Sequence, residues 1–133
     1  LWGPSFGGGH AITTAAEDPG VVATIAQCPF VDGLASARQL SPRSTARLGV
    51  AAVRDQIARL LGRSPVRVKV AARPGEIGLM DAPDVTDGFL TLLAASGLTE
   101  EEARNAVPAR VACEIPVHRP GRQARHVRCP ILF

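Results

Sequence analysis

Leu1-Trp2-Gly3-Pro4-Ser5-Phe6-Gly7-Gly8-Gly9-His10 opens the chain, and Val21-Val22-Ala23-Thr24-Ile25-Ala26-Gln27-Cys28 follows it past Asp18-Pro19-Gly20. Leu1-Trp2 reads as the last residues of a strand and Gly3–Gly7 as a tight turn. A helix is predicted from about Phe6 to Ala16, despite its three glycines, and Asp18-Pro19-Gly20 stops it. The run Val21–Cys28 is nearly continuous, apolar and bounded by turn residues, the pattern of a fully buried parallel strand. Strand, helix and buried strand make a βαβ unit, so the predicted class is α/β with helices layered on a parallel sheet.

Beyond Phe30 the character changes. Ser41-Pro42 is an N-cap followed by proline at the first helical position. Ala46, Val50, Val53, Ile57, Leu60 and Leu61 recur at helical spacing, with Arg47, Arg54, Asp55 and Arg59 largely between them, which predicts an amphipathic helix ended by Gly62. Val66, Val68 and Val70 alternate with Arg67, Lys69 and Ala71 as in a half-buried strand. Pro74-Gly75 turns the chain toward residues 77–80, read as a hairpin partner. Asp84 is placed to cap a helix through about Ala95, and Thr99 with Glu102 fits a capping box for another. A basic stretch from Pro116 to Arg128 leads into a last strand, Pro130–Phe133. The predicted organisation is a core segment over 1–33, a mainly helical cap or lid over 34–115, and a return to the core over 116–133.

The 133 residues suffice for one domain with a modest core, and 46% hydrophobic and 20% charged residues is ordinary globular composition. No apolar run approaches the roughly 20 residues of a bilayer span, and the N-terminus has no signal-peptide pattern. A net charge of +3, from 14 Arg and one Lys against 12 acidic residues, is too small an excess to imply nucleic acid. The basic cluster Arg119, Arg122, Arg125, His126 and Arg128 lacks interleaved aromatics and reads as a solvated surface. Three cysteines without Cys-x-x-Cys spacing disfavour zinc and a disulfide framework, so a reducing, cytoplasmic setting is expected. Cys28 and Cys129, bordering strands, read as small core hydrophobes.

Gly3-x-Ser5-x-Gly7 has the spacing of a nucleophile elbow. A serine at the tip of a strand-to-helix turn points its hydroxyl outward, and the glycines two before and two after leave room for the crowded backbone. The helix starting there aims amide groups and its positive end at a developing oxyanion, with Phe6 N–H as one donor. The competing reading is a glycine-rich turn that packs helix on sheet or binds phosphate. His10, one helical turn and more past Ser5, reads as a structural histidine or one that supports the site from behind, in preference to a catalytic base.

These stretches, with Ala26-Gln27-Cys28-Pro29-Phe30-Val31-Asp32-Gly33, resemble bacterial α/β-hydrolases of the dienelactone-hydrolase and prolyl-oligopeptidase-like kind, actinobacterial members among them. The similarity continues through Arg73–Glu76, Ile115-Pro116, Arg119–Gly121 and Val127–Phe133. It implies a fragment of an α/β-hydrolase parallel sheet with a cap insertion. It also implies a serine hydrolase acting on a small ester, less readily an amide or carbon–carbon bond, through an acyl-enzyme on Ser5. Only Ser5 and Phe6 carry over as catalytic residues. The triad acid and histidine are expected beyond Phe133, and the loop with the second oxyanion donor before Leu1. No metal, cofactor, nucleic-acid or membrane partner is implied. A triad inside the chain, from Asp32, Asp81, Asp84 or Asp87 with His118 or His126, has the right order. Those histidines, however, precede the final strand, where the fold has not yet delivered its acid. Phe30, Leu34, Met80 and Phe89 are candidates for the substrate pocket, although such residues are more often simple core. Asp32-Gly33 is favoured as a turn. The alternative class is a non-catalytic binding module on the same fold.

Overall fold

A computed structural model describes residues 1–99 and 101–133. These residues form two compact units, 1–37 with 115–133, and 38–114.

In the first unit, β1 (Trp2–Pro4) leads directly into α1 (Ser5–Glu17), and β2 (Thr24–Gln27) returns beside β1. β6 (Ile131–Leu132) closes a parallel sheet in the order β1-β2-β6. The helix stops at Asp18, whose Oδ1 accepts the Gly20 amide at 2.8 Å and turns the chain back. Gly8, Gly9, Ala11, Ile12 and Ala15 of α1 are buried, so the glycines that weaken the helix intrinsically let it lie close. A Cβ on Gly9 would meet Phe30 O at 2.5 Å, and one on Gly8 would meet Gly3 O at 2.8 Å.

Burial of β2 differs from the expectation. Thr24 and Ala26 are covered, but Ile25 is 43% exposed and Val22, outside the shortened strand, 86% exposed. Helix α1 covers one face of the strand, and within this unit the other face stays open. Cys28 is likewise exposed at the carboxyl end of β2, where its φ is +42°, and is not a core residue. Cys129 is half-buried, its sulfur 3.6 Å from Thr24 Oγ1. A short helix α2 (Gly33–Ala37) follows, and the stretch 115–126 makes three single turns of 3₁₀ helix.

The second unit is built on α3 (Pro42–Leu60), capped by Ser41 Oγ, which accepts the Ser44 amide at 3.1 Å. Gly62 at φ +64° ends it, with Arg63 N–H donating to Ala58 O at 2.8 Å. The buried face of α3 is Leu48, Ala51, Ala52, Asp55 and Ala58. The predicted stripe is the exposed one, with Val50 at 61% and Leu60 at 85%. Helical spacing fits both stripes. The small alanines win because they bring the helix close to β3 (Arg67–Ala71) and let the Asp55 carboxylate reach its partners.

Residues 78–80 do form a strand, β4 (Gly78–Met80), but it runs parallel to β3, with Lys69 opposite Gly78 and Ala71 opposite Met80. The hairpin expectation fails because the chain reverses twice. The Pro74-Gly75 turn, with Gly75 at φ +88° and Lys69 Nζ paired to Glu76 at 2.8 Å, reverses it once before it swings back alongside β3. The antiparallel partner of β3 is β5 (Val107–Pro108). Next to it the Asn105 side chain substitutes for a strand, accepting the Val70 and Ala71 amides and donating to Ala71 O.

Helix α4 (Val85–Ala95) has the expected bounds, although the Asp84 side chain makes no capping bond. Thr99 and Glu102 make the reciprocal bonds of a capping box, yet residues 101–104 form only turns; Glu100 lies outside the described residues. A four-residue helix, α5 (Val111–Glu114), ends this unit. Leu48, Ala51, Val68 and Ala109 form its core. Beside them Asp55, fully buried, holds Arg110 through Nε–Oδ2 at 2.6 Å and Nη2–Oδ1 at 3.1 Å and accepts the Val66 and Arg110 amides. Among the described residues no helix is long and apolar enough to cross a membrane, and no three His, Cys, Asp or Glu side chains gather as metal ligands.

Candidate active site

Ser5 is the corner between β1 and α1. Its φ is +47°, a left-handed conformation that costs a non-glycine residue roughly 1–2 kcal/mol. Gly3 permits the corner: a Cβ there would run into the carbonyl of Gly7. A Cβ on Gly7 would meet only Pro4 Cδ, at 3.6 Å, so the two glycines of the motif are not equivalent. Ser5 and Phe6 are exposed. Pro4 supplies no side-chain cap to α1, and no acidic residue occupies its first turn. The first amides of the helix therefore keep their hydrogen-bonding capacity and the positive helix end is not neutralised.

The carboxyl end of β2 meets the same corner, the edge at which open parallel sheets bind ligands. Phe30 N–H donates to Ser5 O at 2.8 Å. The Phe30 ring packs on Phe6 with centroids 4.9 Å apart. His118 joins them, 5.2 Å from Phe6 and nearly parallel to Phe30 at 6.1 Å. His10, one turn along α1, stands edge-on to Phe6 at 5.0 Å and 5.1 Å from His118. Burial, followed by the neighbouring His10, holds the His118 imidazole below its ordinary pKa. Among the described residues its buried Nε2 has no hydrogen-bond partner, and neither has Thr86 Oγ1 in the other unit.

Asp32 acts as the turn residue expected. Its Oδ1 accepts the Leu34 and Ala35 amides at 2.9 and 3.0 Å and lies 3.7 Å from Arg119 Nε. Those amides, Ala35 foremost, and Arg119 hold the carboxyl below the usual range against the opposing effect of burial. Among the described residues no hydrogen bond joins Ser5 to a histidine; His126 is occupied with Gln123 Oε1 at 3.1 Å.

Of the predicted site residues the structure thus brings together Ser5, Phe6 and Phe30. Leu34 is half-buried in α2. Met80, 45% exposed, and Phe89, half-buried, belong to the second unit. Sequence reasoning considered His118 only as a triad member and missed the four-ring cluster, whose signal is tertiary. A cavity of 190 Å³ lies at the other end of α1, lined by Ala15, Asp18, Val21, Arg128 and Cys129. Ten residues of helix, about 15 Å, separate it from Ser5.

The chain superposes on the crystal structure of the α/β-hydrolase GrgF from Penicillium sp. sh18 with a TM-score of 0.73 at 22% identity, over 98% of this chain and 42% of that one. The chain has an α/β-hydrolase fold. The structure of DcsB in complex with its substrate analogue is a second likeness, with TM-score 0.67 and 18% identity over 98% of this chain and 43% of that one. In sequence, the chain is 41% identical over 133 residues to the quorum-quenching protein AidA of Acinetobacter baumannii (strain MDR-ZJ06). The match covers all of this chain and 42% of that relative's length. No family model matches the chain.

Proposed function

We propose that Ser5 is the nucleophile of a serine hydrolase. The observation that carries the reading is its left-handed backbone at an exposed strand-to-helix corner, directly before uncapped helix amides. Ser5 Oγ attacks the carbonyl carbon of an ester, and the C=O electron pair moves onto the oxygen, which the Phe6 N–H stabilises. A histidine supplied from beyond Phe133 takes the hydroxyl proton and passes it to the departing alcohol, leaving an acyl-serine that water then hydrolyses. An ester substrate is favoured over an amide because an alcohol leaves more readily than an amine. Quorum quenching is the named role of the Acinetobacter relative, which favours a small diffusible signal ester as the substrate here. Lid duty for residues 34–115, and substrate contact by Phe30, Leu34, Met80 and Phe89, belong to the same reading.

The test is covalent labelling. In the whole protein a fluorophosphonate probe should modify Ser5, and Ser5→Ala should abolish labelling and lower kcat/KM by roughly 10³-fold or more. A folded whole protein that takes no label supports the alternative, a non-catalytic binding module.

A further inference from the structure

Phe6 sits at the centre of the four-ring cluster, touching Phe30, His10 and His118 at once. It is also the residue whose amide follows Ser5. The ring packing and that amide are thus joined through a single Cα.

His118 is locked into that cluster through its backbone. Its N–H donates to Ile115 O at 3.1 Å and its carbonyl accepts the Gly33 amide at 2.9 Å. Gly33 leaves room for this, since a Cβ there would collide with the Ile115 carbonyl. Among the described residues the side chain has no such tether, and its buried Nε2 has no hydrogen-bond partner. An uncharged imidazole fits between aromatic rings at modest cost. An imidazolium there would bury an N–H without an acceptor.

The surrounding charges do not rescue it. Across the cluster α1 presents His10. The segment carrying His118 continues with Arg119 and Arg122, and its last turn holds Arg125 and His126, the latter tied to Gln123. Before α2 stands Asp32, a carboxylate already engaged with two amides and Arg119. Neither α2 nor the turn Ile115–Val117 carries a titratable side chain. Attraction between an imidazolium and the faces of Phe6 and Phe30 works the other way. Burial, followed by the neighbouring His10, draws the His118 imidazole downward from its ordinary pKa, and its ring lies tilted by 34° on Phe6.

We propose that His118 is a positioning residue for the Ser5 reaction: its uncharged ring props Phe6, and proton uptake releases the ring and lets the oxyanion amide drift. The proposal rests on the reading of Ser5 as nucleophile. It makes turnover fall in acid by one proton more than the triad histidine alone requires.

In the whole protein, kcat for 4-nitrophenyl butyrate should fall toward acid pH with a two-proton slope, and in His118→Phe with a one-proton slope. The ratio of the two then grows about tenfold per pH unit below the His118 midpoint, while KM stays nearly level. Equal slopes overturn the proposal. His118→Phe removes no hydrogen bond of the side chain, and a melting curve checks that it folds. A second measurement needs no turnover. In Ser5→Ala whole protein, NMR should show the His118 ring titrating below 6.5 and the Phe6 amide following with the same midpoint. A Phe6 amide blind to that titration overturns the proposal even where kinetics cannot be measured. Should Phe6 follow His118 while wild-type Ser5 takes no fluorophosphonate, the ring coupling stands and the nucleophile reading fails.

Discussion

Gly3 and Gly7 flank the same serine, yet only one of them is required by space. A methyl group on Gly3 would occupy the position of the Gly7 carbonyl, backbone that cannot swing aside; on Gly7 it would find the edge of Pro4 at 3.6 Å, ordinary contact. Gly3→Ala should therefore destabilise the whole protein by about 3 kcal/mol or more through forced backbone movement. Gly7→Ala should be neutral or slightly stabilising, because alanine favours the helix. Thermal unfolding of the two variants side by side checks this, and equal losses would refute the geometry. The motif pattern alone treats both glycines alike. Chain direction breaks the symmetry: Gly7 already belongs to the helix, whose side chains splay outward, whereas Gly3 lies within the strand that the helix folds back upon.

At the scale of elements, local chemistry marked boundaries better than it chose faces. Ser41-Pro42 starts α3, Gly62 stops it, and α4 has the bounds drawn from Asp84 and Ala95. A capping residue acts on amides within one turn, so its effect is written in neighbouring residues. Which side of α3 is buried depends on the strand that approaches it, and the larger side chains, Val50, Val53, Ile57 and Leu60, ended up outside. Gly49 sits within α3 with open space where a Cβ would be. Gly49→Ala should raise the stability of the whole protein by about 0.5–1 kcal/mol by reducing unfolded-chain entropy. A higher urea midpoint with an unchanged m-value is the expected result, and a lower midpoint would mean that something packs against that surface.

At the scale of the whole molecule, the second unit is organised by a buried carboxylate. Asp55 holds the Arg110 guanidinium, the start of β3 and the Arg110 amide together. The Arg110 side chain first, then the Arg110 and Val66 amides, keep the Asp55 carboxyl below 3.8 against the cost of burial. The unfolded chain thus binds this proton more readily than the folded one. The stabilisation is complete above the unfolded value, near pH 4, and is lost as pH falls through the lower folded value. Asp55→Asn should lower the unfolding midpoint at pH 7 by leaving Arg110 without a countercharge. The gap between wild type and variant should narrow below pH 3.8. Urea titrations at pH 3, 5 and 7 measure it, and a gap independent of pH would show that the carboxylate charge is not what holds the unit.

Sequence by itself determined the βαβ core and the corner at Ser5, because each is encoded in contiguous residues: an apolar run, a glycine-rich turn, a helix start and stop; the α/β-hydrolase fold was legible through the resemblance those stretches carry. Only the tertiary structure decided the rest. The parallel run of β4, the Asn105 bridge, the Asp55–Arg110 pair and the packing of His118 on Phe6 join residues 9 to 112 positions apart. Periodicity cannot select such partners, since two helix faces or two chain reversals satisfy the same local pattern. Burial selects them, by admitting a charge or a ring only where the approaching backbone can satisfy or enclose it.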